Sequence, residues 1–372
     1  MGATEALRVL MVSNAVSRDP RSLYTLELAR GLMARGHTVL ILTPRQPPPV
    51  ARRHAEVPLR VEPALERPLL KSLSLGLLFR ELQSWEPDIL HVQSVRALPQ
   101  GHLLSSHLGL PTVISAHASG ERLRGLRSLV RHGAGIIAST ESIREDLVNR
   151  GRVAKTNIRV IPIGAPERTV QEPVSWTDRG PRRIPVVATI GELEPRSGLR
   201  FFLEAARDVL DSGTQAEFLV VGTGSEKRAL RALAERLGVK LRVSFCDPSP
   251  DLMQQLSAVD ILVVTSLDEA HRPVTLEAMI QAKPVVAFGV GAIFEAIEEE
   301  EAGLLVEKGD SRKLAQAIRR LIIKPDFAMR LARRAQEVVG TRFSLARTLD
   351  ETVDYYRCLI PATTVSSTQE ST

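Results

Sequence analysis

The sequence has few of the residues on which disulfide-bonded, zinc-binding or membrane-spanning proteins depend. Its 372 residues include two cysteines, Cys246 and Cys358, too few for a disulfide framework or a zinc cluster. No apolar run reaches the roughly 20 residues that cross a bilayer. The first apolar stretch, Val9–Val12, lacks the basic region and the small-residue cleavage site of a secretory signal. We therefore expect a globular cytoplasmic protein.

Aromatic residues are also scarce, at 4% of the chain. Because the basic residues are dispersed and no recognition motif accompanies them, nucleic acid is not an expected partner. The charge is nevertheless uneven: residues 1–180 contain 24 Lys and Arg against 16 Asp and Glu, a net of +8, whereas residues 181–372 contain 25 against 27, a net of −2. The two halves are thus expected to meet different partners.

One segment of the basic half, residues 122–131, alternates arginine with leucine and valine. This pattern is typical of a helix that lies on an anionic membrane, and a solvated helix face has the same pattern. A peripheral contact with the inner face of the membrane through residues 122–131 therefore stays open at this stage.

Short aliphatic runs alternate with segments of helical periodicity along the chain. Runs such as Arg8–Ser13, Thr38–Thr43 and Ile89–Val92 are separated by apolar residues at helical spacing. Continuous buried strands separated by helices indicate a parallel sheet covered on both faces. Because the alternation stops over residues 165–183 and then starts again, the sequence predicts two α/β domains with a ligand site in the cleft between them.

The same breaks predict the domain boundaries. We expect an N-terminal domain over residues 1–166, a linker over 167–183 and a C-terminal domain over 184–342. A helix over residues 343–360 is expected to pack back on the N-terminal domain. The Ser/Thr-rich tail, residues 361–372, is expected to be disordered.

The most informative stretch lies between Asp260 and Gly291. A strand ends at Ser266, Glu269 lies in the following loop, and Glu277 lies one turn into the next helix. Ligands bind at the carboxyl edge of parallel sheets, and a helix N-terminus attracts phosphate. Carboxylates at this edge could accept hydrogen bonds from ribose or sugar hydroxyls. The two acids alone fit equally well a helix cap and a solvated loop.

Other motifs accompany the two acids. They are Gly191-Glu-Leu193, Val220-Val-Gly-Thr-Gly224, Glu277-Ala-Met279, Lys283-Pro-Val-Val-Ala287, Arg35-Gly36-His37, Pro87-Asp88-Ile-Leu-His91 and Pro111-Thr-Val-Ile-Ser-Ala-His117. Together they resemble family 4 of the retaining glycosyltransferases over most of residues 6–360. The resemblance implies the GT-B fold, an α/β architecture of two Rossmann-like parallel-sheet domains that face a central cleft.

The resemblance also implies roles for individual residues. Glu277 would bind the ribose of a nucleotide diphosphate sugar, Glu269 would face the donor sugar near the transferred carbon, and His117 would approach the reaction centre from the other domain. The remaining donor-binding candidates are Gly191, Arg196, Gly222, Arg272, Val274 and Thr275. The nucleotide sugar is a substrate, and no cofactor or metal is expected. The helix dipole and cationic side chains would therefore neutralise the leaving diphosphate.

Two departures from the family pattern fall where the donor phosphates should bind. Glu192 replaces an arginine and Ser197 replaces a lysine, so two cations are missing beside the expected diphosphate. Arg196 and Arg272 are the candidate replacements. A removed phosphate contact in a site without a metal should weaken stabilisation of the leaving group.

A third departure lies in the N-terminal domain. The family's Gly-Gly loop is replaced by Asp19-Pro-Arg-Ser22. Arg18 and Arg21 are therefore predicted on the acceptor side, where they could bind an anionic acceptor or a phosphate.

Three functions remain open. The first is a retaining glycosyltransferase that moves a sugar from a nucleotide diphosphate sugar to a glycan, a lipid-linked acceptor or a small molecule. The second, suggested by Glu192 and Ser197, is a catalytically degenerate GT-B protein that acts as a binding or accessory subunit. The third is another GT-B enzyme, such as a nucleotide-sugar epimerase.

Overall fold

The chain forms two compact α/β units. In the computed structural model the first unit comprises the chain through Ile161 together with the chain from Thr348 onward, and the second runs from Pro162 to Arg347. The residues described are 6–16, 20–47, 56–66, 72–117, 125–165, 176–177, 180, 183–249, 252–267, 272–290, 297 and 301–361.

The first unit is built on a parallel sheet. Its strands are β1 Arg8–Val12, β2 Thr38–Thr43, β3 Leu59–Val61, β4 Ile89–Val92, β5 Thr112–Ala116, β6 Gly135–Ala138 and β7 Ile158–Val160. Their order is β3-β2-β1-β4-β5-β6-β7, with every pair parallel. The direction of winding therefore reverses between β1 and β4, which is where such sheets open a crevice for ligands.

Helices cover this sheet. They are α1 Pro20–Ala34, α2 Ser72–Trp85, α3 Leu98–Leu108, α4 Leu126–Arg131 and α5 Glu141–Asn149. The start of α5 is fixed by the side chain of Thr140, whose oxygen accepts the backbone N–H of Ile143 at 3.1 Å. Helix α1 ends before Gly36, because the φ of 86° at this glycine is incompatible with a further helical turn.

The second unit repeats the arrangement. Its strands are β8 Val186–Ile190, β9 Glu217–Val221, β10 Val243–Cys246, β11 Ile261–Val264, β12 Val285–Phe288 and β13 Leu304–Val306. The order β10-β9-β8-β11-β12-β13 is again wholly parallel and reverses between β8 and β11. The two predicted parallel-sheet domains are thereby confirmed.

The helices of the second half follow the same alternation. They are α6 Leu199–Asp211, α7 Lys227–Arg236, α8 Leu252–Ser257, α9 Arg272–Ile280, α10 Ser311–Ile323, α11 Pro325–Arg342 and α12 Leu345–Leu359. From Thr348 onward α12 belongs to the first unit. There Gly31 of α1 leaves room for Leu349, because a Cβ on that glycine would lie 2.4 Å from a Leu349 methyl carbon.

The expected linker is only partly described. Trp176 is buried in the core of the second unit, so this point of the 167–183 segment packs as part of a domain. Arg183 pairs with Asp260 at 3.6 Å. The rest of that segment, apart from Thr177 and Gly180, and the tail beyond Pro361 lie outside the described residues. Within the described chain, none of the helices combines the length and the apolar character that a bilayer crossing requires.

Candidate functional site

The predicted donor residues collect at the carboxyl edge of the second sheet. Gly191 directly follows β8 and Gly222 directly follows β9. The backbone N–H of Gly191 donates to Val221 O at 3.0 Å. A Cβ on Gly222 would lie 1.9 Å from Gly191 O, so only glycine fits this close approach of two strand ends. The structure thus brings both glycines together and gives Gly222 a packing role, while their contact with a donor stays a prediction.

The loop after β8 contains the two departures from the family pattern. The guanidinium of Arg196 forms an ion pair with Glu192, and both side chains are about half exposed. Ser197 is 2% exposed, and its hydroxyl donates to Glu192 O at 2.6 Å. Neither departure supplies a cation to the edge, because the serine turns into its own loop and the arginine is paired with an acid.

This loop is attached to the end of β11. Thr265 Oγ1 donates to Ser197 O at 2.9 Å, and the backbone N–H of Leu267 donates to Arg196 O at 2.8 Å. Gly198 adopts a φ of 63°, and a Cβ there would lie 2.2 Å from Thr265 O. The loops after β8 and β11 are therefore held together by hydrogen bonds and close packing at the point where the sheet order reverses.

Helix α9 follows the loop after β11 and contains Glu277, the member of the acid pair that the structure describes. Val274, Thr275 and Glu277 are all buried, and Glu277 is 6% exposed. Because the side chains of Val274 and Thr275 point into the core, their part in phosphate binding would come from backbone N–H groups near the helix start. Buried acidic side chains are few, because burial of a carboxylate is costly unless it is paired or hydrogen-bonded; among the described residues the others are Glu62 and Asp260. Glu269 and the side chain of Arg272 lie outside the described residues.

Two polar residues at this edge were not identified from the sequence. Glu194 accepts the backbone N–H of Ser225 at 3.0 Å and its hydroxyl at 2.8 Å, and these hydrogen bonds lower the pKa of Glu194. Lys308, which follows β13, donates through Nζ to Leu267 O at 2.9 Å. A search for charged residues just after each strand would have found Lys308.

The first unit presents His117 directly after β5. Its ring meets the ring of Tyr24 edge-on, with centroids 5.5 Å apart and an interplanar angle of 79°. Arg18 and the side chain of Arg21, the predicted acceptor-side cations, lie outside the described part of the chain.

A second histidine lies in the interior near His117. His91 of β4 places Nδ1 2.6 Å from Tyr356 Oη and Nε2 2.8 Å from Ser115 Oγ. Burial, and secondarily the charge of His117, lowers the pKa of His91 to about 3. His91 is therefore a neutral packing residue that joins β4, β5 and α12.

The basic segment 122–131 is only partly described. Its residues 122–124 lie outside the described chain. Leu126 and Leu129 of α4 are buried in the core of the first unit, and Arg127 Nε donates to Gly151 O at 2.9 Å. These two leucines are thus part of the core, and a peripheral membrane contact through residues 122–131 stays a prediction. Among the described residues no cluster of His, Cys, Asp and Glu suited to a metal ion occurs.

Comparison with known proteins agrees with this arrangement. Residues 22–167 match the family model described as Glycosyltransferase Family 4, and residues 184–324 match the model described as Glycosyl transferases group 1. The 2-deoxystreptamine glucosyltransferase of Streptomyces kanamyceticus is 24% identical over 290 residues, which cover 70% of this chain and 75% of that protein. The D-inositol 3-phosphate glycosyltransferase of Saccharomonospora viridis is 28% identical over 301 residues, covering 73% and 70%.

Solved structures share the fold. The crystal structure of HepE from Anabaena in complex with UDP superimposes with a TM-score of 0.77 at 21% identity, covering 95% of this chain and all of that one (100%). The crystal structure of a glycosyltransferase from Rickettsia africae gives a TM-score of 0.80 at 16% identity, covering 96% and 100%.

Proposed function

Because this chain belongs to family 4 of the group 1 glycosyltransferases and has their GT-B fold, we propose that it transfers a hexosyl group from a UDP-sugar to an acceptor hydroxyl. The acceptor is a glycan, a lipid-linked sugar or a small molecule. Transfer retains the anomeric configuration and requires no metal. The relatives' names and the UDP complex of HepE support a sugar nucleotide as donor.

The single observation that carries the proposal is the buried carboxylate of Glu277. It lies on α9, the helix that follows β11, and β11 is one of the two strands between which the sheet order reverses. A carboxylate kept in a desolvated position there is suited to accept hydrogen bonds from the two ribose hydroxyls of a nucleotide. Hydrogen bonds to a charged group contribute about 1.5–3 kcal/mol.

The other roles follow from the family. By the family pattern, Glu269 is the candidate residue for the donor sugar and His117 the candidate for the reaction centre. In the absence of a metal, the diphosphate is stabilised by the start of α9 together with cationic side chains. Lys308 is a candidate cation, since within the described chain its only polar contact is the carbonyl of Leu267.

The first experiment measures UDP binding and UDP release. The wild type is expected to bind UDP in calorimetry and to release it from UDP-glucose when 2-deoxystreptamine, myo-inositol or glucose is present, equally well with and without excess EDTA. Proton NMR of the product should show the same anomeric configuration as the donor. An inverted product would contradict retention, and loss of turnover in EDTA would contradict metal independence.

The Glu277→Gln variant tests the central observation. Loss of the charged acceptor should weaken UDP binding roughly 10- to 150-fold. The matched control is Glu235→Gln, which removes an exposed acid from α7 and should leave UDP affinity unchanged. If Glu277→Gln and the wild type bind UDP with equal affinity, the carboxylate of Glu277 does not bind the ribose.

A second function, binding without transfer, is favoured by one observation. The pairing of Arg196 with Glu192 and the buried Ser197 leave two family cations unreplaced in this loop. If the protein binds UDP-glucose but releases no UDP, either with any of the three acceptors or by hydrolysis of the donor with water as acceptor, binding without transfer is the better assignment.

A further inference from the structure

A buried glutamine lies where the order of the first sheet reverses. Gln93 directly follows β4, and its backbone N–H donates to Val12 O at 2.9 Å, which extends the pairing of β4 with β1 by one residue. Its side chain is 2% exposed. Gln93 is thus held rigidly at the carboxyl edge, between the strands where parallel sheets of this order bind ligands.

The side-chain amide of Gln93 is only half satisfied. Its oxygen accepts the hydroxyl of Thr25 on α1 at 3.3 Å. Its buried nitrogen has no hydrogen-bond partner among the residues that the structure describes. Exchanging the two amide atoms does not help, because the hydroxyl can serve either atom and the other then remains unpaired.

An unpaired buried amide atom is a cost that folding alone does not explain. Leaving such a group without a partner costs about 1–3 kcal/mol, and an apolar side chain of similar size at this position would avoid that cost. The missing partner of such a group can be an ordered water, an ion or a ligand, and the position of Gln93 where the sheet order reverses favours a ligand.

The polar residues around Gln93 indicate what kind of ligand fits. Ser94 Oγ donates to Asn14 Oδ1 at 3.3 Å, and Ser13 Oγ donates to Ala15 O at 2.7 Å. Asn14 and Ser94 are both half-buried. None of these groups is charged, so this part of the edge suits a neutral hydroxyl group better than a phosphate or a carboxylate.

We propose that the side-chain amide of Gln93 binds a hydroxyl group of the acceptor and so contributes to acceptor specificity. The proposal rests on the transferase function proposed above and adds an acceptor contact to it. A hydroxyl can accept from the amide nitrogen or donate to the amide oxygen, so it completes the hydrogen bonding in either amide orientation. The ligand class is therefore a ring polyol or sugar that presents an uncharged hydroxyl at this position.

The test compares two glutamines of the first unit. Gln100 on α3 is also buried, and its side-chain oxygen also lacks a partner within the described chain. Gln93→Leu and Gln100→Leu each remove a buried amide with one unpaired atom, and thermal unfolding of both variants is compared with that of the wild type to verify that they fold. Steady-state kinetics with UDP-glucose then give KM for the donor and for 2-deoxystreptamine, myo-inositol or glucose, whichever is used.

We expect Gln93→Leu to raise the acceptor KM at least tenfold with donor KM unchanged, whereas Gln100→Leu leaves both constants unchanged. Gln93→Glu should retain transfer to an uncharged hydroxyl, which can donate to the new carboxylate. If Gln93→Glu folds as the wild type does but loses transfer as completely as Gln93→Leu, an anionic group occupies the position and the hydroxyl assignment is wrong.

The outcomes separate this proposal from the function on which it rests. A wild type that releases UDP normally, combined with an unchanged acceptor KM in Gln93→Leu, overturns the role of Gln93 and leaves the transferase function intact. A wild type that binds no UDP in calorimetry and transfers to none of the three acceptors overturns the transferase function itself, and the acceptor contact with it.

Discussion

The buried histidine His91 makes the stability of the first unit depend on pH. Its ring is fully buried, and both nitrogens lie within hydrogen-bond distance of hydroxyl groups, on Tyr356 and Ser115. Burial first, and then the charge of His117, lowers the pKa of His91 to about 3. In the unfolded chain the same side chain has an ordinary pKa of about 6.5. The folded ring therefore stays neutral at pH values where the unfolded ring is protonated.

This difference predicts both the sign and the size of the effect. Between about pH 6.5 and pH 3 the unfolded state binds one more proton than the folded state, so stability falls as the pH falls. The slope for one proton is about 1.4 kcal/mol per pH unit. From pH 7.5 to pH 5.0 the unfolded ring becomes protonated while the folded ring does not, and His91 alone removes about 2 kcal/mol.

The two tryptophans allow the first unit to be followed separately. Trp85 ends α2 in the first unit, and Trp176 is buried in the second. In a Trp176→Phe background, Trp85 fluorescence during urea unfolding gives the free energy of unfolding of the first unit at each pH. The variant is His91→Gln, which keeps polar groups near Tyr356 and Ser115 and has no proton to gain in this range.

We expect the background protein to lose about 2 kcal/mol more than its His91→Gln variant between pH 7.5 and pH 5.0. His102→Gln, at an exposed histidine of α3, serves as the control and should keep the pH slope of the background. Parallel slopes for the His91→Gln variant and the background would refute the reasoning, because they would mean that folding does not prevent protonation of His91.

Three further substitutions test individual contacts. Glu192→Gln removes the acid paired with Arg196, so UDP should bind roughly two- to fivefold more tightly in calorimetry; unchanged affinity would show that the arginine does not reach the diphosphate. Gly222→Ala places a Cβ against Gly191 O and should lower the unfolding free energy of the second unit by roughly 2–4 kcal/mol, read from Trp176 fluorescence. Tyr356→Phe removes a partner of a buried imidazole and should destabilise the first unit by about 1–3 kcal/mol; a fully stable variant would argue against that hydrogen bond.

Much of the fold could be predicted because buried parallel strands are short aliphatic runs. The strands Thr38–Thr43 and Ile89–Val92 are observed with the bounds expected from the sequence. Helix α3 was missed because it contains Pro99 near its start and Gly101 inside it. The glycine is required by packing, since a Cβ there would lie 2.5 Å from a methyl carbon of the neighbouring strand.

The outer strands were harder to predict. β3 has three half-buried residues, too few for a hydrophobic pattern, and forms because β2 offers a partner. β10, at the edge of the second sheet, begins only at Val243, although the aliphatic Leu241 precedes it; Leu241 is 94% exposed. Strand formation at a sheet edge depends on pairing with a neighbour more than on the local sequence.

Part of the candidate site could likewise be predicted from the sequence, and part could not. The position of Glu277 on a helix after β11 follows from the sequence. The burial of Ser197 and the unpaired amide of Gln93 do not, because both depend on chain segments brought together only by folding. Thr265 reaches Ser197 across 68 residues of sequence, as Thr25 reaches Gln93 across the same separation.

The two departures in the donor loop are structurally coupled. The hydroxyl of Ser197 donates to the backbone of residue 192, and the side chain of Glu192 pairs with Arg196, which lies between them in space and in sequence. Position 197 is 2% exposed, so a lysine there would have to reach solvent from a buried position. An arginine at position 192 would repel Arg196. Residues this close are not expected to act additively. The family cations therefore cannot be restored one at a time, and the present loop is a self-consistent alternative that lacks them.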